Sequence, residues 1–192
     1  MIITGFDGTC LNSELEDLIV NYRIGGLILF ERNFEDPDQL IQLISDLQSL
    51  AISCPASVPL FISVDQEGGR VARLKSPFSD FPQPSCLGQA QSESLAYRFG
   101  LALGQEMKSV GINMVYAPVL DVNTNPANPI IGTRALSDIP EWAGRMGKAV
   151  IAGIQEAGVF PVGKHFPGHG DTDRDSHLEL PYVNRDANSL EK

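Results

Sequence analysis

The sequence predicts an α/β fold, a (β/α)8 or TIM barrel of which this chain carries about the first five βα units. Short apolar runs alternate along the chain with longer amphipathic stretches, which is typical of parallel strands connected by helices. The apolar runs are too continuous for strands with one solvated face. Polar residues follow three successive strands at their carboxyl ends, as in barrels. An open, doubly wound sheet has the same alternation, but no Gly-x-Gly-x-x-Gly motif follows the first strand, which counts against a dinucleotide-binding sheet.

The first two βα units are predicted near the start of the chain. A strand is expected over 2–6 and a helix over 12–22, because Asn12 or Ser13 can cap that helix. The run Gly-Gly-Leu-Ile-Leu-Phe predicts a second strand over 25–30. A second helix is expected over 35–51, where an Asp-Pro pair precedes leucine and isoleucine residues at helical spacing.

The next three strands are separated by longer loops. A glycine- and proline-rich loop follows the third strand up to about residue 92, and an asparagine- and proline-rich loop follows the fourth. The predicted strands cover 60–65, 112–122 and 159–168, and the predicted helices cover 92–111 and 139–158. The stretch 184–192 predicts the first turn of another helix. Because a complete barrel has eight strands and about 250 residues, we expect residues 1–192 to be the N-terminal part of a single barrel domain.

Composition argues against several classes of partner. The net charge of −10 and the acidic isoelectric point near 4.6 disfavour nucleic acid and anionic membranes. No apolar run reaches the roughly 18–20 residues of a membrane span. Three cysteines without a Cys-x-x-Cys spacing disfavour a disulfide framework, and the N-terminus lacks the pattern of a signal peptide. We therefore expect a cytoplasmic protein; the sequence leaves its oligomeric state open.

All 3 histidines of the chain lie in the stretch 164–177, Lys-His-Phe-Pro-Gly-His-Gly-Asp-Thr-Asp-Arg-Asp-Ser-His. Three alternating aspartates imitate the start of an EF-hand loop, but Ser176 and Tyr182 stand where that loop needs glycine and glutamate. Zinc is disfavoured because Pro167 and the glycine after it break any helix that would bring two histidines together. We therefore predict no metal site and no cofactor.

Asp175 and His177 form a candidate acid–base pair. In extended backbone, residues two apart project to the same side. A carboxylate beside an imidazole fixes its tautomer, raises its pKa and makes it an effective proton shuttle. A solvated polar loop is the alternative interpretation. The glycines around His169 suggest a functional loop, and we expect residues 168–180 to be more mobile than the strands that they join.

Five further polar residues predict a sugar site. Asp65 closes the third predicted strand, and a carboxylate there can accept two neighbouring hydroxyl protons. Cationic and imidazole side chains, which donate hydrogen bonds in return, follow the third, fourth and fifth strands. These residues are Arg73, Arg134, Lys164 and His165, and we expect them to meet Asp65 at one rim.

Three motifs resemble the family 3 glycoside hydrolases: Val-Asp-Gln-Glu-Gly-Gly-Arg-Val, Ile-Gly-Thr-Arg-Ala-Leu and the histidine-containing stretch 164–177. The likeness covers residues 5 to about 181 and is nearest to the bacterial β-N-acetylhexosaminidases that trim N-acetylglucosamine from cell-wall (peptidoglycan) fragments. The resemblance implies that Asp65 binds two hydroxyls of the non-reducing-end sugar. It also implies that Arg73, Arg134, Lys164 and His165 hold that sugar.

For catalysis, the resemblance implies that His177 is the general acid/base, that Asp175 is its partner and that His169 shapes the loop. The family retains anomeric configuration through a covalent glycosyl-enzyme. Most retaining glycosidases use two carboxyl groups for this reaction, and here the imidazole of His177 would replace one of them. The nucleophile is expected to be an aspartate at the end of the seventh strand, beyond Lys192, and Asp186 is not assigned that role. A glycoside phosphorylase and a catalytically inactive sugar-binding fragment remain as alternatives.

Overall fold

The computed structural model describes residues 1–183 and contains a parallel sheet that follows chain order. The strands within residues 1–183 are β1 (Ile3–Thr4), β2 (Gly26–Leu29), β3 (Phe61–Val64), β4 (Gln66–Gly68), β5 (Val71–Ala72), β6 (Met114–Val115) and β7 (Phe160–Pro161). The order β1-β2-β3-β6-β7 forms a sheet in which every neighbouring pair is parallel. This confirms the prediction of five parallel strands. The chain-order arrangement is that of consecutive strands in a (β/α)8 barrel.

Helices connect these strands and cover the sheet. The helices are α1 (Ser13–Val20), α2 (Pro37–Ser53), α3 (Ser85–Ala90), α4 (Glu93–Ser109) and α5 (Pro140–Glu156), with short 3-10 turns at Glu31–Asn33 and Gly132–Arg134. The predicted cap of α1 is confirmed, since the Asn12 side chain accepts a hydrogen bond from the Leu15 N–H at 3.0 Å. Asp36 caps α2 in the same way and Pro37 occupies its first turn.

Strands β6 and β7 are shorter than the predicted ranges 112–122 and 159–168. Extended backbone nevertheless continues beyond both strands, and the Leu120 N–H donates to the Lys164 carbonyl at 2.7 Å. This continuation brings the segments after β6 and β7 side by side where they reach the rim of the sheet.

The long loop predicted between β3 and residue 92 is wrong in part, since β4 and β5 form an antiparallel hairpin there and α3 follows. The buried Gln66 side chain holds this hairpin. Its oxygen accepts from the Arg73 and Leu74 N–H groups at 2.8 and 3.1 Å, and its amide donates to the Leu74 carbonyl at 2.9 Å. The sequence pattern missed the hairpin because a side chain, rather than an apolar period, stabilises it.

Helices α4 and α5 pack backbone to backbone. A Cβ on Gly100 would collide with the Val150 carbonyl, and a Cβ on Gly153 would collide with the Tyr97 carbonyl. Glycine therefore allows an approach that any larger residue would prevent. The two helices flank β6 in the chain.

The start of a helix predicted over 184–192 lies outside the described residues. Within residues 1–183, no helix is long and apolar enough to cross a membrane.

Candidate active site

Six polar side chains meet at the carboxyl ends of the adjacent strands β3, β6 and β7. We call them the rim cluster. They are Asp65, Glu67, Asp121, Arg134, Lys164 and His165. Parallel strands place their carboxyl ends at one edge, which is why residues distant in sequence come together here. The predicted meeting of Asp65, Arg134, Lys164 and His165 at one rim is confirmed as a matter of geometry.

Lys164 bridges two carboxylates in the rim cluster. Its Nζ lies 2.5 Å from Asp65 Oδ1 and 2.6 Å from Glu67 Oε1. The Lys164 side chain is 14% exposed and that of Glu67 is fully buried. Water screens such contacts weakly, so each charge depends on its partners more than a surface charge would.

Glu67 also binds Arg134 through both of its oxygens. Arg134 Nε and Nη2 each donate to Glu67 at 2.9 Å, which is the bidentate geometry of a guanidinium–carboxylate pair. Burial lowers the pKa of Arg134, but the hydrogen bonds and charge of Glu67 outweigh it, so the net shift is upward. Arg134 therefore stays cationic at the rim.

His165 is held between a buried carboxylate and a cation. Its Nδ1 lies 2.5 Å from Asp121 Oδ2, and its Nε2 lies 3.2 Å from Arg134 Nη2. Arginine can only donate, so Nε2 accepts and Nδ1–H donates to Asp121; the tautomer is assigned from this network. A cleft of about 200 Å³ lined by Leu120, Asp121 and residues 163–168 opens beside the His165 ring.

The Asp121 carboxylate receives three hydrogen bonds. Burial raises the pKa of Asp121, but the His165 ring and the backbone N–H groups of His169 and His165 lower it by more, leaving the pKa below its ordinary value. The His169 N–H donates at 2.6 Å and the His165 N–H at 3.2 Å. Asp121 is therefore an ionised group that orients two histidine residues.

Arg73 stands at the edge of the rim cluster. Its Nη2 lies 4.0 Å from Asp65 Oδ2, at the limit of an ion pair. Its buried Nε finds no hydrogen-bond partner among residues 1–183. The structure thus places Arg73 near Asp65, as expected from the sequence, but in looser contact than Lys164.

Asp175 and His177 form the predicted pair on an exposed loop. His177 Nδ1 lies 2.7 Å from Asp175 Oδ1, and the same oxygen accepts the His177 backbone N–H at 2.8 Å. The backbone bond, followed by the ring bond, lowers the pKa of Asp175. The His177 side chain is 75% exposed. Within residues 1–183, neither side chain makes a hydrogen bond or ion pair with the rim cluster.

The loop 168–180 has two halves with different burial. His169, Gly170 and Thr172 are buried. Asn128 holds this half by donating from its side-chain nitrogen to the His169 and Thr172 carbonyls at 2.7 and 2.9 Å. Residues 173–180 are mostly exposed. The greater mobility of the loop stays a prediction. The burial of its first half makes residues 173–180 the part to which the prediction applies best.

Sequence reasoning missed Glu67 and gave Asp121 no role. A signal for Glu67 existed, because it lies two residues after Asp65 in the motif after β3, the spacing that was used for Asp175 and His177. A glutamate is rarely buried unless it is paired. Its complete burial therefore depends on Arg134 and Lys164, residues 67 and 97 positions away, which no local pattern indicates.

Residues 5–192 match the model of the glycosyl hydrolase family 3 N-terminal domain. The chain belongs to glycoside hydrolase family 3. Among curated proteins, it is 42% identical over 186 residues to beta-hexosaminidase A of Pseudoalteromonas piscicida, covering 95% of this chain and 31% of that protein. It is 39% identical to a beta-hexosaminidase of Alkalilimnicola ehrlichii over 99% of this chain and 55% of that protein. The chain thus spans about half or less of the length of these relatives.

Solved structures of family 3 proteins have the same fold. A beta-N-acetylglucosaminidase from Paenibacillus sp. str. FPU-7 superposes with a TM-score of 0.95 at 42% identity, covering 98% of this chain and 36% of that one. NagZ from Neisseria gonorrhoeae, in complex with N-trifluoroacetyl-D-glucosamine, superposes with a TM-score of 0.90 at 34% identity, covering 99% of this chain and 56% of that one. The predicted family and barrel fold class are confirmed.

Proposed function

We propose that the full-length protein is a retaining glycoside hydrolase that removes terminal, non-reducing β-linked N-acetylglucosamine from peptidoglycan fragments or related glycosides. The observation that carries the proposal is the rim cluster, in which Asp65 stands beside Lys164 and near Arg73. A carboxylate that accepts hydroxyl protons, flanked by cations that donate, suits a ligand dense in hydroxyl groups. The family and the names of its relatives support N-acetylglucosamine as the sugar.

In this proposal each rim residue has a distinct part. Asp65 accepts hydrogen bonds from two sugar hydroxyls, and Lys164, Arg134 and Arg73 donate to sugar oxygens. Both ring nitrogens of His165 are engaged by Asp121 and Arg134, so His165 helps to hold the sugar by packing its ring against it. Binding energy from these contacts orients the glycosidic bond before reaction and holds it in a near-attack geometry. His165 needs Asp121 to fix its ring, which is a reason for the buried carboxylate behind it.

His177 then acts as the general acid/base. It gives a proton to the leaving oxygen as the glycosidic bond breaks, and later takes a proton from the attacking water. Asp175 holds the ring tautomer and stabilises the imidazolium, as the 2.7 Å contact allows. An aspartate of a later strand, beyond Lys192, forms the covalent glycosyl-enzyme. The proposed domain is accordingly a single barrel to which residues 1–192 contribute the N-terminal part.

The test measures how fast the full-length enzyme cleaves the 4-nitrophenyl glycosides of N-acetyl-β-glucosamine and of β-glucose. Proton NMR identifies which anomer of the sugar is released first. We expect cleavage of the N-acetylglucosaminide with the β-anomer formed first. Release of the α-anomer would contradict the retaining mechanism, and preference for the glucoside would contradict the sugar assignment. Residues 1–192 alone serve as the control. If they bind the sugar but do not cleave the glycoside, they behave as the inactive sugar-binding fragment of the alternative hypothesis.

A phosphorylase is the second candidate, because the acid/base is an imidazole. A neutral imidazole repels an incoming phosphate less than a carboxylate does. Turnover in phosphate buffer and in phosphate-free buffer separates the two: we expect free sugar in both, and sugar 1-phosphate as the main product in phosphate would favour the phosphorylase.

We also propose a cytoplasmic location, supported by the three free cysteines Cys10, Cys54 and Cys86. Fractionation of cells that produce the full-length protein tests it, with a periplasmic enzyme as the control. Recovery of the activity in an osmotic-shock fraction would contradict this location.

A further inference from the structure

His169 lies between the rim cluster and the Asp175–His177 pair, and the proposed chemistry does not use it. It is 8% exposed, whereas the His177 side chain is 75% exposed. A buried histidine whose two ring nitrogens are both bound is a structural element with a defined orientation.

The His169 ring contacts two hydroxyl groups of its own loop. Nδ1 lies 2.7 Å from Thr172 Oγ1, and Nε2 lies 3.0 Å from Ser176 Oγ. A hydroxyl can both donate and accept, so these contacts persist in either neutral tautomer of the ring. Ser176 is the residue between Asp175 and His177, so the second contact holds the chain at the acid–base pair.

The His169 backbone is fastened to the other side of the site. Its N–H donates to Asp121 Oδ1 at 2.6 Å, and the second oxygen of Asp121 binds the His165 ring at 2.5 Å. Its carbonyl accepts from Asn128 Nδ2 at 2.7 Å. One hydrogen-bonded chain therefore runs from His165 through Asp121 and His169 to Ser176.

We infer that His169 is a positioning residue, which ties the loop carrying the acid–base pair to the sugar-binding rim through the Ser176 hydroxyl. The inference rests on the proposed function. Residues 173–180 bury little surface of their own, so this contact restrains a segment that would otherwise sample many positions. A misplaced proton donor loses much of its catalytic benefit, because general acid catalysis needs hydrogen-bond reach to the leaving oxygen.

The test is a double-mutant cycle in the full-length enzyme with His169→Ala, Ser176→Ala and the double variant. Two N-acetylglucosaminides are compared, one with a poor alkoxide leaving group and one with nitrophenolate. For each single variant we expect kcat/KM to fall about tenfold on the poor substrate, the size of one lost hydrogen bond, and less on the activated one. We expect the double variant to be no worse than His169→Ala alone.

Thr124→Val is the matched control. Thr124 Oγ1 donates to Asp171 Oδ1 at 2.9 Å, so this variant removes a different hydroxyl contact to the same loop without touching the chain through Ser176. We expect its preference between the two substrates to equal that of the wild type. An equal change in Thr124→Val would overturn the inference, because any loosening of the loop would then suffice. Additive losses in the double variant, or equal losses on both substrates, would also overturn it.

Deuterium uptake of residues 173–180 gives a readout that does not depend on catalysis. We expect faster uptake in Ser176→Ala, a substitution at an exposed position, than in the wild type and in Thr124→Val. Unchanged uptake in Ser176→Ala would show that the contact between His169 and Ser176 does not restrain the loop, even if the wild type is active. If the wild type fails to cleave the N-acetylglucosaminide, the proposed function fails separately, while uptake still decides whether the tether exists.

Discussion

The rim cluster and the exposed half of the loop, residues 173–180, are built on opposite principles. In the rim cluster, every charged group is paired with residues from distant parts of the chain, as in the contacts that Lys164 makes with Asp65 and Glu67. In the exposed half-loop, the ion pairs are local: His177 binds Asp175, two residues away, and Arg174 binds Glu179, five residues away.

This difference separates binding from proton transfer in physical terms. Buried ion pairs are costly to break because each partner would be left without water, so the rim is organised before sugar arrives. Exposed pairs contribute little to stability, so the half-loop is free to be placed by other contacts. Substitutions in the rim should therefore reduce stability and binding together, whereas substitutions in the half-loop should reduce the chemistry alone.

The largest effect on catalysis is expected from His177→Ala in the full-length enzyme. Substrates with a poor leaving alkoxide should lose about 10²–10⁴-fold in rate, since that oxygen needs a proton in the transition state. Substrates with a nitrophenolate leaving group should lose much less in the glycosylation step, and the free energy of unfolding should stay near that of the wild type. Single-turnover rates on both substrates give the comparison. Equal losses would mean that His177 binds sugar and that another residue is the acid.

The largest effect on stability is expected from Glu67→Ala. Removing the fully buried carboxylate leaves Arg134 without its bidentate partner and Lys164 with Asp65 alone, and the free energy of unfolding should fall by about 3–5 kcal/mol. Urea unfolding of the full-length protein measures this. Glu179→Ala in the half-loop is the matched control and should cost at most about 1 kcal/mol, because its pair with Arg174 is exposed. Similar costs for the two variants would remove the distinction between the regions.

A milder effect is expected from Asp175→Ala. The variant keeps the His177 imidazole and loses only its orienting partner, so the poor-leaving-group substrate should lose about ten- to a hundredfold, less than with His177→Ala. The neighbouring exposed residue Asp173 supplies the control, and Asp173→Ala should leave both substrates unaffected. A loss with Asp175→Ala as large as with His177→Ala would indicate that the carboxylate takes part in the chemistry itself.

The smallest expected effect concerns the acid stability of the rim cluster. The pKa of Asp121 is lower in the folded state than its ordinary value of 3.8, so its ionised form stabilises the fold. That contribution is fully present above the ordinary pKa and is lost as the pH falls through the lower, folded-state pKa. We expect the stability difference between the wild type and Asp121→Asn to shrink on acidification below about pH 4. A difference that stays constant from pH 7 to pH 3 in urea titrations would contradict this.

The sequence predicted the elements that depend on local patterns. The cap at Asn12, the Asp-Pro start of α2 and the Asp175–His177 contact all follow from residues that are close together in sequence. The meeting of Asp65 with Lys164 was also predictable, because parallel strands share a carboxyl edge.

The features that escaped prediction depend on partners far away in the chain. Gln66 holds a hairpin with its side chain, and the burial of Glu67 depends on cations contributed by later strands. The buried backbone of His169 donates to the Asp121 carboxylate and accepts from the Asn128 side-chain amide. Periodicity measures the average environment of a segment, so it does not register a single polar side chain whose environment is set by tertiary contacts.

The close contact of α4 and α5 at Gly100 and Gly153 bears on directed evolution of sugar preference. Helix α4 precedes β6 in the chain and α5 connects β6 to β7, and the segments after both strands carry residues of the rim cluster. A methyl group at either glycine would wedge the helices apart and disturb the spacing of the rim residues without touching any of them. Libraries aimed at new glycosides should therefore keep both glycines and diversify the exposed positions 173, 174 and 178–180, leaving Asp175, Ser176 and His177 unchanged.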